Sequence, residues 1–146
     1  MVFRWILAAL LVGLACIIGI SVLAVPLGPA QIAIDTSGLP DVSAHPIPPG
    51  IALRATIQWQ KPTMVLLARD GDTWRAFSNR STHLGEPVIW RADDNRFYDT
   101  VSSAMWDKAG RPVAGPAPRG LDWYPVTVAG DYVIVDLSQP KPGGRY

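Results

Sequence analysis

The chemistry open to this 146-residue chain is bounded by two histidines, His45 and His83, and one cysteine, Cys16. A single thiol excludes an intrachain disulfide, an all-cysteine zinc site and an iron–sulfur cluster held by several thiolates of this chain. Two imidazoles leave little room for a multi-histidine metal centre. His83 lies in the run Ser81-Thr82-His83-Leu84-Gly85-Glu86, and Asp99 follows 13 residues after Glu86, with Ser102 and Ser103 just beyond it. One imidazole with the carboxylates of Asp99 and Glu86 could suit a mononuclear iron, zinc or manganese ion. The second stretch brings no other good ligand, so the simpler expectation is an imidazole hydrogen-bonded at a loop tip. Ser81, Ser102 and Ser103 become nucleophiles only beside a positioned base, and His83 has neither an evident orienting group nor an oxyanion hole to offer. His45, next to Pro46, reads as a solvated loop residue. No enzyme activity is expected of this set.

The elements that must position these residues are short. Segments rich in β-formers span 51–58, 63–69, 73–77, 88–91, 97–98, 123–128 and 132–137, and Asp70-Gly71-Asp72, Asp93-Asp94-Asn95, Gly110 and Ala129-Gly130-Asp131 supply turns between them. No stretch after Val25 sustains helical periodicity for three turns. This spacing predicts an all-β head over 51–137, a small antiparallel sandwich or barrel. The tryptophans Trp74 and Trp123 alternate with polar neighbours and are expected in its core. A tail at 138–146, holding Pro140, Pro142, Gly143 and Gly144, is expected to be mobile or dependent on a partner. With 13 Lys and Arg against 12 Asp and Glu the chain has no basic surplus, which argues against a nucleic-acid partner.

Ahead of the head, Trp5 to Val25 is a run of 21 residues without a charge. A bilayer core about 30 Å thick needs roughly 20 apolar residues as a helix, so 1–25 is expected to be one N-terminal transmembrane helix, with Trp5 as an interfacial anchor. Ala8, Ala9, Gly13, Ala15 and Gly19 offer a close-packing surface. Cys16 falls inside this run as a small apolar residue. Arg4 is the only charge before the run, and no Lys or Arg follows until Arg54. The positive-inside rule then puts the N-terminus in the cytoplasm and the head on the periplasmic side of the inner membrane. A cleaved signal peptide is the competing reading. Residues 26–50, with Pro26, Pro29, Pro40, Pro46, Pro48 and Pro49, read as an extended proline-rich connector.

The head also carries a resemblance. Ser81-Thr82-His83-Leu84-Gly85-Glu86 is similar to the first cluster-binding box of Rieske iron–sulfur proteins, C-T-H-L-G-C. Asp99-Thr100-Val101-Ser102-Ser103-Ala104-Met105-Trp106-Asp107 falls where the second box, C-P-C-H-G-S-x-[FY]-D, would stand. Gly115-Pro116-Ala117-Pro118-Arg119 resembles the proline loop of that family, Trp59-Gln60-Lys61-Pro62 the turn before the boxes, and Thr73–Ser78 the strand leading into the first. The order and spacing of these stretches, over residues 52–137, resemble the Rieske subunit of cytochrome bc-type complexes.

That resemblance implies a Rieske-like fold and, position by position, an altered site. The thiolate positions are Ser81 and Asp99, and the imidazole positions are His83 and Ser102. The cysteines of the interloop disulfide in the bc-type branch correspond to Glu86 and Val101. The serine and tyrosine hydroxyls that tune the potential correspond to Ala104 and Trp106. The expectation is a Rieske-like head that binds no cofactor: a membrane-anchored, non-redox structural or assembly subunit of a respiratory or photosynthetic electron-transfer complex, the alternatives being a metal-dependent enzyme or sensor with a mononuclear site at His83, or a free-standing periplasmic binding module. Cytochrome b- or c-type chains and the lipid bilayer are its expected partners. Met105, Trp106, Pro116 and Pro118, at the end where a bc-type Rieske protein docks, are the expected partner contacts, with Met105 and Trp106 also filling volume near the former cluster.

Overall fold

A computed structural model of the chain describes residues 30–145, apart from 53 and 57–59. The expected transmembrane run, with Trp5 and Cys16, lies outside the described residues, as does Trp59. Among the described residues no helix is long and apolar enough to cross a membrane.

Eleven strands and one helical turn make up the described chain. In order they are β1 (Gln31–Asp35), β2 (Val42–Pro46), α1 (Pro49–Ala52), β3 (Met64–Asp70), β4 (Thr73–Ser78), β5 (Val88–Arg91), β6 (Arg96–Asp99), β7 (Met105–Trp106), β8 (Pro112–Ala114), β9 (Trp123–Tyr124), β10 (Val126–Ala129) and β11 (Tyr132–Asp136). They form three antiparallel sheets, ordered β1-β11-β10, β2-β3-β4-β9 and β5-β6-β7-β8. The all-β expectation holds.

The second sheet is the middle layer, because it contributes to two separate cores. Side chains of a strand alternate between faces. Val65 and Leu67 of β3 join Ile34, Tyr124, Val133 and Val135 in one core. Leu66 and Ala68, pointing the other way, join Phe77, Phe97, Trp106 and Leu121 in the second. This explains why Val65-Leu66-Leu67-Ala68 is apolar throughout: it is buried on both faces. Phe97 anchors the second core, meeting Phe77 and Trp90 edge-on at centroid distances of 5.6 and 4.8 Å.

Several boundaries differ from the expectation. Residues 31–46, inside the segment read as a connector, pair with the head instead: β1 lies against β11 from Gln31↔Asp136 to Asp35↔Tyr132, and β2 against β3 from Val42↔Ala68 to Pro46↔Met64. Both are edge strands, where proline is tolerated, and the prolines sit at or beyond strand ends rather than interrupting a ladder. The strand expected over 51–58 is replaced in its first part by α1, which Pro48 starts by accepting from the Ile51 and Ala52 amides. The described part of the 138–146 tail docks as well: Lys141 and Trp123 exchange two backbone hydrogen bonds of 2.8 and 2.9 Å, and the Gly120 amide donates to the Gly144 carbonyl at 2.8 Å. Trp123 is 42% exposed rather than core. It lies on the two-residue edge strand β9, which among the described residues only the isolated bridge to Lys141 extends. Trp74 is partly buried. His45 belongs to β2, half-buried, with Nε2 2.8 Å from Ser43 Oγ, and burial lowers its pKa.

Candidate functional site

Three loops converge at one end of the second core. The first, Ser81–Glu86, connects β4 to β5; the second, Thr100–Ala104, connects β6 to β7; the third, Gly115–Gly120, follows β8. The first is a tight closed turn: the Ser81 amide donates to the Glu86 carbonyl at 2.8 Å and the Gly85 amide to the Ser81 carbonyl at 3.0 Å. In the second, Ser103 takes a left-handed backbone with φ +61°, uncommon for a residue with a Cβ. The third needs glycine at 115. Its φ is +77°, and a Cβ there would stand 2.4 Å from the Ser103 carbonyl oxygen.

Asp99 organises the second loop beside the first. Its Oδ1 accepts from the Val101 and Ser102 amides at 2.8 and 3.0 Å, and its Oδ2 accepts from Ser102 Oγ at 2.6 Å. The Ser81 hydroxyl stands beside this carboxylate and favours its charged form. Ser81 is fully buried and Asp99 is 4% exposed. Burial alone would raise the Asp99 pKa, but Ser102, Ser81 and the two amides outweigh it and hold the group below the usual carboxylate value. Ser81 Oγ in addition accepts from the His83 amide at 3.2 Å. Two of the four positions singled out as former ligands, Asp99 and Ser102, are therefore bonded to each other, with a third, Ser81, beside them.

The third loop is fixed through one carbonyl. Arg119 O accepts from Thr82 Oγ1 in the first loop and from Trp106 Nε1 in β7, both at 3.0 Å. The Arg119 guanidinium pairs with both carboxylate oxygens of Asp122, and Asp122 Oδ1 also accepts from the Gly143 amide at 2.9 Å. Trp106, expected as a partner contact, is 0% exposed: the ring fills the second core, where it cannot meet a partner. Met105 is half-buried, while Pro116 and Pro118 are exposed. The large apolar side chains most open at this end are Leu84 and Val101, 58% and 68% exposed. Leu84 stands in the quoted first motif, so its position was available from the sequence. Its exposure was not, because a loop leucine has no periodicity to report it.

His83 is half-buried, and its Nδ1 is enclosed with no hydrogen-bond partner among the described residues. Gln60 Oε1 is likewise unpartnered, and the Gln60 amide lies where a Cβ on Gly85 would project. Among the described residues no group of three or more His, Cys, Asp or Glu side chains could hold a metal ion. A Rieske [2Fe–2S] centre takes two thiolates on one iron and two imidazoles on the other. The corresponding set here is two hydroxyls, a carboxylate and one imidazole; Ser102 Oγ and the Asp99 carboxylate are engaged with each other, and Ser81 Oγ accepts from the His83 amide. These residues do not fit that cluster.

No protein family model matches the chain. Over 97 residues it is 30% identical to the cytochrome b6-f complex iron-sulfur subunit of Prochlorococcus marinus (strain NATL1A), covering 64% of this chain and 52% of the relative. Over 74 residues it is 30% identical to the corresponding subunit of Chlorobaculum thiosulfatiphilum, covering 51% of this chain and 41% of that one. The chain thus spans about half the length of these curated relatives. The crystal structure of the cyanobacterial plasma membrane Rieske protein PetC3 from Synechocystis PCC 6803 superposes with a TM-score of 0.46 at 26% identity, covering 49% of this chain and 75% of the other.

Proposed function

The chain is a homologue of the Rieske iron–sulfur subunits of cytochrome b6-f complexes, and from that premise we propose that it is a member without the cluster, serving as a non-redox structural or assembly subunit of a membrane electron-transfer complex. The observation that carries this reading is the hydrogen-bonded pair Asp99–Ser102 with the buried Ser81 beside it. A cluster site must present free thiolates and imidazole nitrogens towards a common centre. Here the carboxylate at one thiolate position is occupied by the hydroxyl at an imidazole position, so the second loop closes on itself without iron. Electrons of such a complex would travel through cofactors on other chains.

In this reading the N-terminal apolar run is a single transmembrane anchor, with the head on the periplasmic side. The partner contact is the outer surface of the three loops. Pro116 and Pro118 remain in it, Leu84 and Val101 join it, and Trp106 acts from behind by filling the core that supports it. Isolated exposed apolar residues are ordinary, but several on adjoining loop tips suit a stable protein contact. Gentle extraction of the full-length chain from its native membrane is the test. Co-purification with cytochrome-bearing subunits, lost on Leu84→Asp with Val101→Asp, is expected. A chain that elutes alone under conditions that keep such complexes intact would refute the structural role.

A mononuclear metal at His83 has one observation in its favour, the enclosed and unpartnered Nδ1. Asp99 gives it no support, since both of its carboxylate oxygens already accept hydrogen bonds.

A further inference from the structure

The first sheet ends on a strand edge that no other strand among the described residues covers. β1 lies outermost in the order β1-β11-β10, and a recess of about 370 Å³ beside it is lined by Ile32 and Ile34 of β1 and by Pro46 and Pro48 at the end of β2. The hydrogen bonds at the two ends of the β1–β11 ladder fix which residues face outward. The Leu137 amide donates to the Ala30 carbonyl and the Thr36 amide to the Asp131 carbonyl, both at 2.8 Å. Bonded positions alternate in an antiparallel pair, so Ala30, Ile32, Ile34 and Thr36 direct their backbone groups to β11. The amides and carbonyls of Ala33 and Asp35 turn outward, and both residues are exposed.

The edge of β2 at the same recess is arranged differently. Its ladder bonds run from the Arg69 amide to the Asp41 carbonyl and from the Ile47 amide to the Thr63 carbonyl, at 2.7 and 2.9 Å. That leaves Val42, Ala44 and Pro46 facing outward, and proline offers no donor, so this edge is blunted. β1 has no such guard. Gln31–Asp35 contains no Pro, Lys or Arg, and its register with β11 runs without a bulge. An unguarded edge is a template for another strand.

We propose that β1 pairs with β1 of a second copy of this chain, antiparallel about a two-fold axis at Ala33. The strand's own sequence selects this occupant. Centred there, Ala33 meets Ala33 of the other copy and Gln31 meets its Asp35, so outward amides and carbonyls coincide. The Gln31 side-chain amide stands opposite a carboxylate, and Asp35 never faces Asp35. On the inner face each Ile32 lies against Ile34 of the other copy, which covers the apolar side of the recess. A contact of this kind uses the same patch on both copies, so it closes as a dimer and does not propagate into a fibre. It involves none of the three loops and does not depend on what they bind.

The test uses the full-length chain in its native membrane, in a Cys16→Ser background that leaves an introduced cysteine as the only thiol. Facing residues at bonded positions have Cα atoms about 5.5 Å apart, within reach of a disulfide. Ala33→Cys is expected to form a homodimeric disulfide under mild copper-phenanthroline oxidation, while Asp93→Cys, in the exposed β5–β6 turn of the third sheet, stays monomeric. Sedimentation of the otherwise native chain in mild detergent should show a reversible dimer. Ala33→Pro, which deletes an outward donor and no bond to β11, should weaken it about tenfold or more. Ala33→Lys, an exposed change that sets like charges face to face on the two-fold axis, should weaken it about fivefold and leave thermal unfolding unchanged. The proposal is overturned if Ala33→Cys cross-links to a different protein or not at all, if the chain sediments only as a monomer, or if a dimer forms that both Ala33→Pro and Ala33→Lys leave intact.

Discussion

Replacing Asp99 by alanine isolates the carboxylate that orders the second motif loop beside the first. The carboxylate accepts from two amides and from Ser102 Oγ, with the Ser81 hydroxyl beside it. Hydrogen bonds to a charged group contribute about 1.5–3 kcal/mol each, but the three share one acceptor and do not add. Water can replace the partner of the Val101 amide, because Val101 is 68% exposed. It reaches Ser102 less well, and the fully buried Ser81 least of all. Asp99→Ala should therefore destabilise the head by about 2–4 kcal/mol, and Asp99→Asn, which keeps one carbonyl acceptor, by about half as much. For a head of this size that corresponds to a fall in Tm of about 10 °C for the alanine variant. Thermal unfolding of the full-length chain in nanodiscs, followed by fluorescence of the buried Trp106, measures it. A Ser81→Ala, Asp99→Ala cycle should show coupling of about 1 kcal/mol or more. The sign of the pH dependence follows from the lowered pKa. The carboxylate's contribution is complete above the unfolded-state value, near 3.8, and is lost as pH falls through the lower folded-state value. The gap between wild type and Asp99→Asn should thus close in acid. A Tm loss under 2 °C for Asp99→Ala, or additive single variants, would refute that ordering role.

Three further outcomes follow from the packing. Trp106→Phe should cost about 1 kcal/mol for the lost indole donor to Arg119 O, and Trp106→Ala about 3–5 kcal/mol for the cavity, both read from denaturant midpoints. Asp122→Asn, which removes the carboxylate charge from this buried pair with Arg119, should destabilise the head by about 2–4 kcal/mol; it should also speed hydrogen exchange at the Gly143 amide, and unchanged exchange would mean that the C-terminal segment docks by other contacts. Gly115→Ala should destabilise by more than Gly71→Ala in thermal unfolding, because both have positive φ but only at Gly115 does a Cβ meet the backbone of the second loop.

How much of this was legible in the sequence depends on the range of the interaction that sets each element. The hairpin β3–β4 was plain, because Asp70-Gly71-Asp72 closes it locally and the flanking runs are β-rich. The edge strands β1 and β2 were hidden by proline density. Ile32 and Ile34 alternate as a strand should, but what makes them a strand is pairing with β11, about a hundred residues away, and no local signal reports that. The motif loops could be located by resemblance, and their ligand positions could be seen to lack cysteine. That Asp99 would stand beside the buried Ser81 could not be read, because it depends on two loops meeting in space. Trp106 shows the same limit. Its type and place in the second loop fitted either a surface contact or a filler, and only burial separates them.

The most direct test is iron and acid-labile sulfide analysis, with electron paramagnetic resonance, on the full-length chain purified from its native membrane after mild reduction. Neither stoichiometric iron nor a Rieske-type signal is expected, and Ser81→Ala or His83→Ala should leave that result unchanged. Two irons and two sulfides per chain with a Rieske signal, lost on His83→Ala, would contradict the cluster-less reading.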